Sequence, residues 1–233
     1  MICHQSSDVL TPQYSFTMFV KIVVLCLISG CFLKNAESAE SFTISNEILN
    51  TVEKQYGTPA AKRVLAWQAL IREDTSKSDL QKLQKANNFF NKLAFISDII
   101  HWNKTDYWAT PIEFLATGGG DCEDFSLAKY FTLKALGVSE TKLNMTYVKA
   151  LELNQAHMVV TYYKKPGSIP LVLDNLIPTI KPATKRPDLE PVFSFNGTGL
   201  WLSKSRGKGQ KISNSDKLKS WQDLLSRMPI GLN

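Results

Sequence analysis

Cys122, His157 and Asp174 are the residues whose types and order could do covalent chemistry. A thiol at the start of a helix meets unpaired backbone N–H groups and the positive end of the macrodipole. Both favour the thiolate, which is the nucleophile. Such a nucleophile needs a base to carry its proton and a third group to hold that base in one tautomer. Of His4, His101 and His157, only His157 follows the cysteine on an expected strand, and Asp174 falls near the end of the next one. Adjacent antiparallel strands would set the carboxylate beside the imidazole. The cysteine helix, packed across the sheet, would then offer its thiol to the other ring nitrogen. Each residue alone has a plainer reading. A lone cysteine is usually buried and inert, a histidine on an apolar strand is usually a satisfied core residue, and an aspartate before an asparagine at a strand end is usually a turn former. Core packing does not require all three in this order, so together they point to acyl chemistry through a thiolate.

The thiol is flanked by acids. Asp121, Glu123 and Asp124 would raise its pKa if nothing offset their charge, so a positive partner is expected nearby. The structural reading is a capping box of Asp121 with Asp124 and an acidic first turn favoured by the helix dipole, and both readings can hold together. No calcium-loop pattern of the EF-hand kind occurs. Upstream, Trp102, Tyr107 and Trp108 read most simply as core. Their functional reading is a cleft lining, or an indole N–H that helps the Cys122 backbone N–H bind an oxyanion. The run Lys204–Lys211 reads as a solvated loop, and its neighbour Trp201 does not make it a nucleic-acid site.

These side chains require a particular set of elements. Asp121 caps a helix whose apolar face is Phe125, Leu127, Ala128, Phe131, Leu133 and Leu136, ending at Gly137. Before it, Ser45 and Asn46 start a helix with Ile48, Val52 and Tyr56 at helical spacing up to Gly57, and Thr58-Pro59 starts another. A third helix is expected from Ser78 or Asp79 to about Ser97, with Leu80, Leu83, Phe89, Phe90 and Leu93 facing inward. An aromatic-rich connector from Asp98 to Thr117 leads into Gly118, Gly119 and Gly120, which imply unusual backbone angles or close backbone approach. After Lys142 the period changes to two. Leu143–Val148, His157–Tyr163 and Leu171–Asn175 read as strands, Val192–Phe195 and Leu200–Leu202 as added edges, and Ser215–Met228 as a last helix. Helices first and an antiparallel sheet second make an α+β domain.

The whole chain of 233 residues suits one domain, and its 44% hydrophobic and 21% charged residues argue against disorder. A net charge of +6 permits nucleic acid, anionic lipid or an acidic protein without selecting any of them. Met18–Lys21 followed by the apolar Ile22–Leu33 and small residues to Ala39 resembles an export signal, with an apolar run too short to span a bilayer. Residues 1–39 are therefore expected to be a signal region and 40–233 the domain. The stretch before Met18 does not resemble a signal start, so Met18 is an alternative initiation site. Ile28–Cys31 is a weaker lipobox-like alternative, with Cys31 acylated. Cys3, Cys26 and Cys31 all lie in or before the signal, which leaves Cys122 alone in the domain.

The run from Trp108 to Ser126, with Gly119-Gly120-Asp121-Cys122-Glu123-Asp124 at its centre, resembles the bacterial transglutaminase-like cysteine proteinases. So do Ala156–Val160 and Leu173–Asn175. The resemblance implies a papain/transglutaminase-like fold and a triad of Cys122, His157 and Asp174. It also implies calcium dependence, with Asp121 and Glu123 matching family ligands and Asp124 as a third. The implied activity is a periplasmic endopeptidase that cuts the N-terminal region of a large repeat-containing surface adhesin near a small-residue pair, releasing it and controlling biofilm attachment. The implied partner is an inner-membrane receptor that binds cyclic di-GMP in the cytoplasm and sequesters the protease in the periplasm. Competing readings are a protein-crosslinking acyl transferase, a peptidoglycan endopeptidase and a non-catalytic binding module. The second resembles a Cys-His-His group, whereas no further histidine follows His157 here.

Overall fold

The computed structural model describes residues 42–202 and 209–229. The expected signal, Cys31 and most of the Lys204–Lys211 run lie outside the described residues.

Ser45 starts helix α1 (Asn46–Tyr56) by accepting the Ile48 N–H at 3.3 Å, and Gly57, at φ +82°, ends it. Helix α2 (Thr58–Asp74) has Pro59 in its first turn, where no N–H is needed. Helix α3 (Asp79–Phe90) begins at a capping box of Ser78 with Gln81. The apolar spacing would carry it on to Ser97, but it stops at Phe90. Ala94–Phe95 (β1) leaves to pair in parallel with Gly119–Gly120 (β2). Leu80, expected to face inward, is 57% exposed, because the buried stripe begins only at Lys82 and Leu83. The aromatic connector contains two short helices, α4 (Asp98–His101) and α5 (Pro111–Thr117).

Helix α6 (Cys122–Ala135) is buried continuously from Asp124 to Leu133, as expected of a helix with neighbours on every side. Trp67 on α2 donates its indole N–H to Thr132 on α6 at 2.7 Å. The sheet has seven antiparallel strands: β3 (Leu143–Ala150), β4 (Gln155–Tyr162), β5 (Leu171–Leu173), β6 (Lys181–Pro182), β7 (Leu189–Asn196), β8 (Gly199–Leu202) and β9 (Lys211–Ser213). Their order is β6-β5-β4-β3-β7-β8-β9. β7, expected as an added edge, therefore lies inside the sheet between β3 and β8. β8 is its hairpin neighbour, but β3 is remote in sequence, and alternation along a strand does not reveal who pairs with it. Helix α7 (Lys219–Arg227) closes the described chain.

Met145, Met158, Val160, Leu173 and Phe195 join the helices in one core with Phe125, Phe131 and Trp221. Val148, Ala150, Val159, Val172 and Leu189 form a second, smaller cluster. Successive residues of β4 divide between the two clusters, as a period of two requires. The architecture is the expected α+β one. No helix among the described residues is long and apolar enough to cross a membrane.

Candidate active site

The three glycines place the thiol. Gly118 closes α5 in the left-handed region at φ +81°. A Cβ on Gly119 would stand 2.7 Å from the Ala94 carbonyl oxygen, and one on Gly120 would stand 2.2 Å from Asp124 Oδ2. Only chain without side chains can pass between β1 and the first turn of α6. The expected capping box is present. Asp121 Oδ1 accepts the Glu123 N–H at 3.2 Å, and Asp124 Oδ2 accepts the Asp121 N–H at 3.3 Å. Asp124 Oδ1 also accepts the Ala109 N–H at 2.8 Å, tying the connector to the helix start.

Cys122 thus sits at the head of α6, half-buried, and α6 meets β4 where β5 ends. The β4–β5 ladder stops at Val160 opposite Leu173. Beyond it, Ser126 Oγ on α6 donates to the Met158 carbonyl at 2.9 Å. The thiol donates to Glu123 Oε2 at 2.7 Å. Burial, then the charge and hydrogen bond of Glu123, then the charge of Asp121 push this thiol up, while a hydrogen bond with the Met158 backbone acts the other way.

His157, on β4 opposite Val148, is 5% exposed, and its Nε2 lies 2.8 Å from Asp174 Oδ1. Asp174, expected within a strand, is the first residue beyond β5. Its Oδ1 also accepts the Leu176 N–H at 3.0 Å, and its carbonyl accepts Asn91 Nδ2 at 2.8 Å. Its Oδ2 accepts Arg186 Nη2 at 2.6 Å. Burial alone would raise this carboxyl, but the hydrogen bond and charge of His157, with the Arg186 and Leu176 donors, hold it down to about 2. Since Asp174 takes Nε2, Nδ1 is the ring nitrogen left for a thiol. The structure brings His157 and Asp174 together and sets Cys122 against Met158, the next residue of the histidine's strand. The thiol's own hydrogen bond goes to Glu123 and not to the imidazole. Active sites without substrate often hold such contacts open.

One carboxylate oxygen each from Asp98, Asp121 and Asp124 cluster within 4.8 Å of one another. Asp98 Oδ2 accepts the Tyr107 N–H, but its buried Oδ1 has no hydrogen-bond partner among the described residues. All three carboxyls are pushed up, by burial first and then by neighbouring acidic charge. Several hard oxygens, a buried one of them unpartnered among the described residues, suit a divalent ion such as calcium. Glu123, expected as a ligand, forms a second group of possible metal ligands with Asp121 and Cys122, sharing Asp121 with the first, and its Oε1 faces the Tyr147 hydroxyl at 3.5 Å. Sequence reasoning missed Asp98. It lies in the connector, far in sequence from the cysteine motif, and only the folded chain brings it close.

Of the aromatic residues, Trp108 is core and stacks on Phe195 with centroids 5.6 Å apart. Trp102 is partly buried between His101 and Tyr107. The connector that carries them is clamped by α7. Arg227 donates to the Trp108 carbonyl at 2.7 Å, to Glu113 Oε2 at 2.6 Å and to the Tyr107 hydroxyl at 2.7 Å.

A family model described as the bacterial transglutaminase-like cysteine proteinase BTLCP matches residues 65–188, a span that holds the thiol, the imidazole and both acidic groups. The chain belongs to this family. Among solved structures it is similar to LapG of Legionella pneumophila in an EGTA-treated form, at 44% identity and a TM-score of 0.70 over 79% of this chain and 97% of that one. A calcium-bound form of LapG is 45% identical with a TM-score of 0.67, over 79% of this chain and 99% of that one. No curated protein matches the chain. The fold of this transglutaminase-like proteinase is LapG-like, with the cysteine at the head of a helix packed on an antiparallel sheet.

Proposed function

We propose that this proteinase is a calcium-dependent, periplasmic endopeptidase that uses Cys122 as nucleophile, His157 as general base and acid, and Asp174 as the group orienting the imidazole. The observation that carries the reading is the buried His157 Nε2 to Asp174 Oδ1 bond, which fixes the ring so that Nδ1 is the acceptor. Membership of a cysteine proteinase family and likeness to LapG support it. The substrate is the N-terminal region of a large repeat-containing surface adhesin, cut near a small-residue pair. The regulator is an inner-membrane receptor that senses cyclic di-GMP and holds the protease.

In the reaction, the Cys122 proton passes to His157 Nδ1 as Sγ attacks the scissile carbonyl carbon. The tetrahedral intermediate then collapses. His157 gives the proton to the leaving amine nitrogen as the C–N bond breaks, leaving a thioester on Cys122. Water, deprotonated by Nδ1, attacks the thioester. The C–S bond breaks, the thiol is restored, and a carboxylate leaves. Rotation of Cys122 from Glu123 towards the ring precedes the first step. Asp98, Asp121 and Asp124 are the residues that would hold calcium, a use supported by the unpartnered Asp98 oxygen and by a calcium-bound LapG. When bound, the ion supplies the positive charge that offsets these acids beside the thiol.

The test is to incubate the purified protein with N-terminal adhesin fragments, with calcium or with chelator. One discrete cut that needs calcium and disappears in Cys122→Ser is expected. Absence of cutting in calcium, or cutting that survives in Cys122→Ser, refutes the proposal.

A further inference from the structure

We propose that Arg186 is a positioning residue for the His157–Asp174 pair, with Asp188 as its anchor, so that the orienting carboxylate is itself held by a buried guanidinium. This inference rests on the catalytic reading above.

Arg186 is 2% exposed and follows the 3₁₀ turn Ala183–Lys185. Its Nη2 lies 2.6 Å from Asp174 Oδ2 and 2.7 Å from Asp188 Oδ2, and its Nε lies 3.0 Å from Asp188 Oδ1. Asp188 thus fixes the plane of the guanidinium through a fork, and the guanidinium in turn takes the one Asp174 oxygen that does not face the imidazole. The Asp188 carbonyl accepts the Leu151 N–H at 2.8 Å, which ties this pair to the hairpin between β3 and β4, just ahead of His157. Without a partner on Oδ2, the carboxylate plane of Asp174 could turn about Cβ–Cγ away from Nε2. With Arg186 on Oδ2, and His157 and the Leu176 N–H on Oδ1, both oxygens are held.

Packing alone gives no reason for an arginine here. The side chain lines a cleft with Val148, Val159, Val172 and Leu189, where an apolar residue would fill the space without the cost of desolvating a charge. A buried ion pair of this kind is poor evidence of stabilisation but good evidence of imposed geometry, because the fork and the single bond to Asp174 each have one arrangement. The Asp188 carboxyl is held down chiefly by its hydrogen bond from Arg186, in line with a permanently charged anchor.

The test uses ring tautomers as well as rates. His101 and His157 are the only histidines after residue 39, so ¹⁵N-histidine spectra of the periplasmic protein can be assigned with His101→Gln. The wild type should show one dominant His157 tautomer, with the proton on the Nε2 that faces Asp174. Arg186→Met should mix the two tautomers and lower kcat for fragment cleavage by about tenfold or more, with KM within about twofold. Arg186→Lys should restore part of both. Should Arg186→Met not fold, Asp188→Asn decides the matter, with a smaller loss of kcat and a partial tautomer mixture expected. A folded Arg186→Met, or in its absence a folded Asp188→Asn, with the wild-type tautomer and kcat overturns the inference. Asp174→Asn separates the two levels. If it leaves cleavage intact, the catalytic reading has failed. If it abolishes cleavage while the Arg186 variants behave as wild type, only the positioning role has failed.

Discussion

A carboxyl as buried as Asp174 would ordinarily drift towards its neutral form, yet donors from His157, Arg186 and Leu176 hold it down to about 2. It is therefore charged across the working range of any neutral-pH protease, and a charged carboxylate can only accept a proton from Nε2. This gives the residue-scale prediction. An amide at position 174 can donate to Nε2 through its own N–H, which would favour protonation at Nδ1 and leave no acceptor for the thiol. Asp174→Asn should lower kcat by about 10⁴-fold, and His157→Ala should abolish cleavage. Both are measured by fragment cleavage and by iodoacetamide alkylation of Cys122 at matched folded concentration. Cleavage near the wild-type rate in either variant would show that the pair is structural. The thiol meets the opposite balance, since burial and Glu123 hold its proton on. Glu123→Gln, which removes the charge but keeps the shape, should speed alkylation at neutral pH by several-fold, and an unchanged alkylation rate would count against the Glu123 contact seen here.

At the scale of elements, the approach of β2 to α6 is controlled by two glycines, and a methyl group is enough to test it. A Cβ at position 120 meets the Asp124 carboxylate at 2.2 Å, on a side chain also held by the Ala109 N–H. Gly120→Ala must move Asp124, and through it the connector and the cap of α6. Overpacking of this sort costs about 1–3 kcal/mol, or roughly 2–12 °C in melting temperature for a domain of this size. Calcium affinity should fall with it, so calorimetry showing wild-type affinity in Gly120→Ala would mean that Asp124 is not a ligand. The sequence made this region readable because the glycines, the Asp121 cap and the change of period after Lys142 are local signals. What could not be read is non-local. Leu93 continues the spacing of α3, and only the pairing of β1 with β2 explains why the helix has already ended. Alternation marked the strand around Phe193 and Phe195 but not its interior place between β3 and β8. Asp98 and Arg186 look like ordinary polar loop residues until the folded chain sets one beside Asp124 and the other against Asp174.

For the molecule as a whole, the two acidic groups at the site should give its stability opposite dependences on pH. In the absence of metal, Asp98, Asp121 and Asp124 have folded pKa values raised by burial and by neighbouring acidic charge, that of Asp124 to about 8. A raised folded value means that the favourable contribution is complete below the ordinary carboxyl range near 3.8 and is lost as pH climbs through the folded values. Asp174 has the reverse sign. Its contribution is complete above that range and is lost as pH falls towards about 2. A chelated sample should therefore be most stable in mildly acidic buffer and lose melting temperature steadily from pH 6 to pH 9. Calcium takes deprotonated carboxylates and offsets their charge, so its stabilisation should grow over the same interval. At a free concentration near a hundred times Kd it adds about 2.7 kcal/mol, roughly 5–10 °C for a domain of this size. Magnesium should do much less, since it holds its waters and demands tighter geometry. Asp98→Asn separates the ion from the helix cap, because Asp98 takes no part in the capping box of α6. This variant should melt at a higher temperature than wild type in chelator at pH 8 and gain little from calcium. If scanning calorimetry instead gives a chelated melting temperature that is flat from pH 6 to pH 9, or a calcium shift that Asp98→Asn leaves intact, the cluster is a capping device and the ion binds elsewhere.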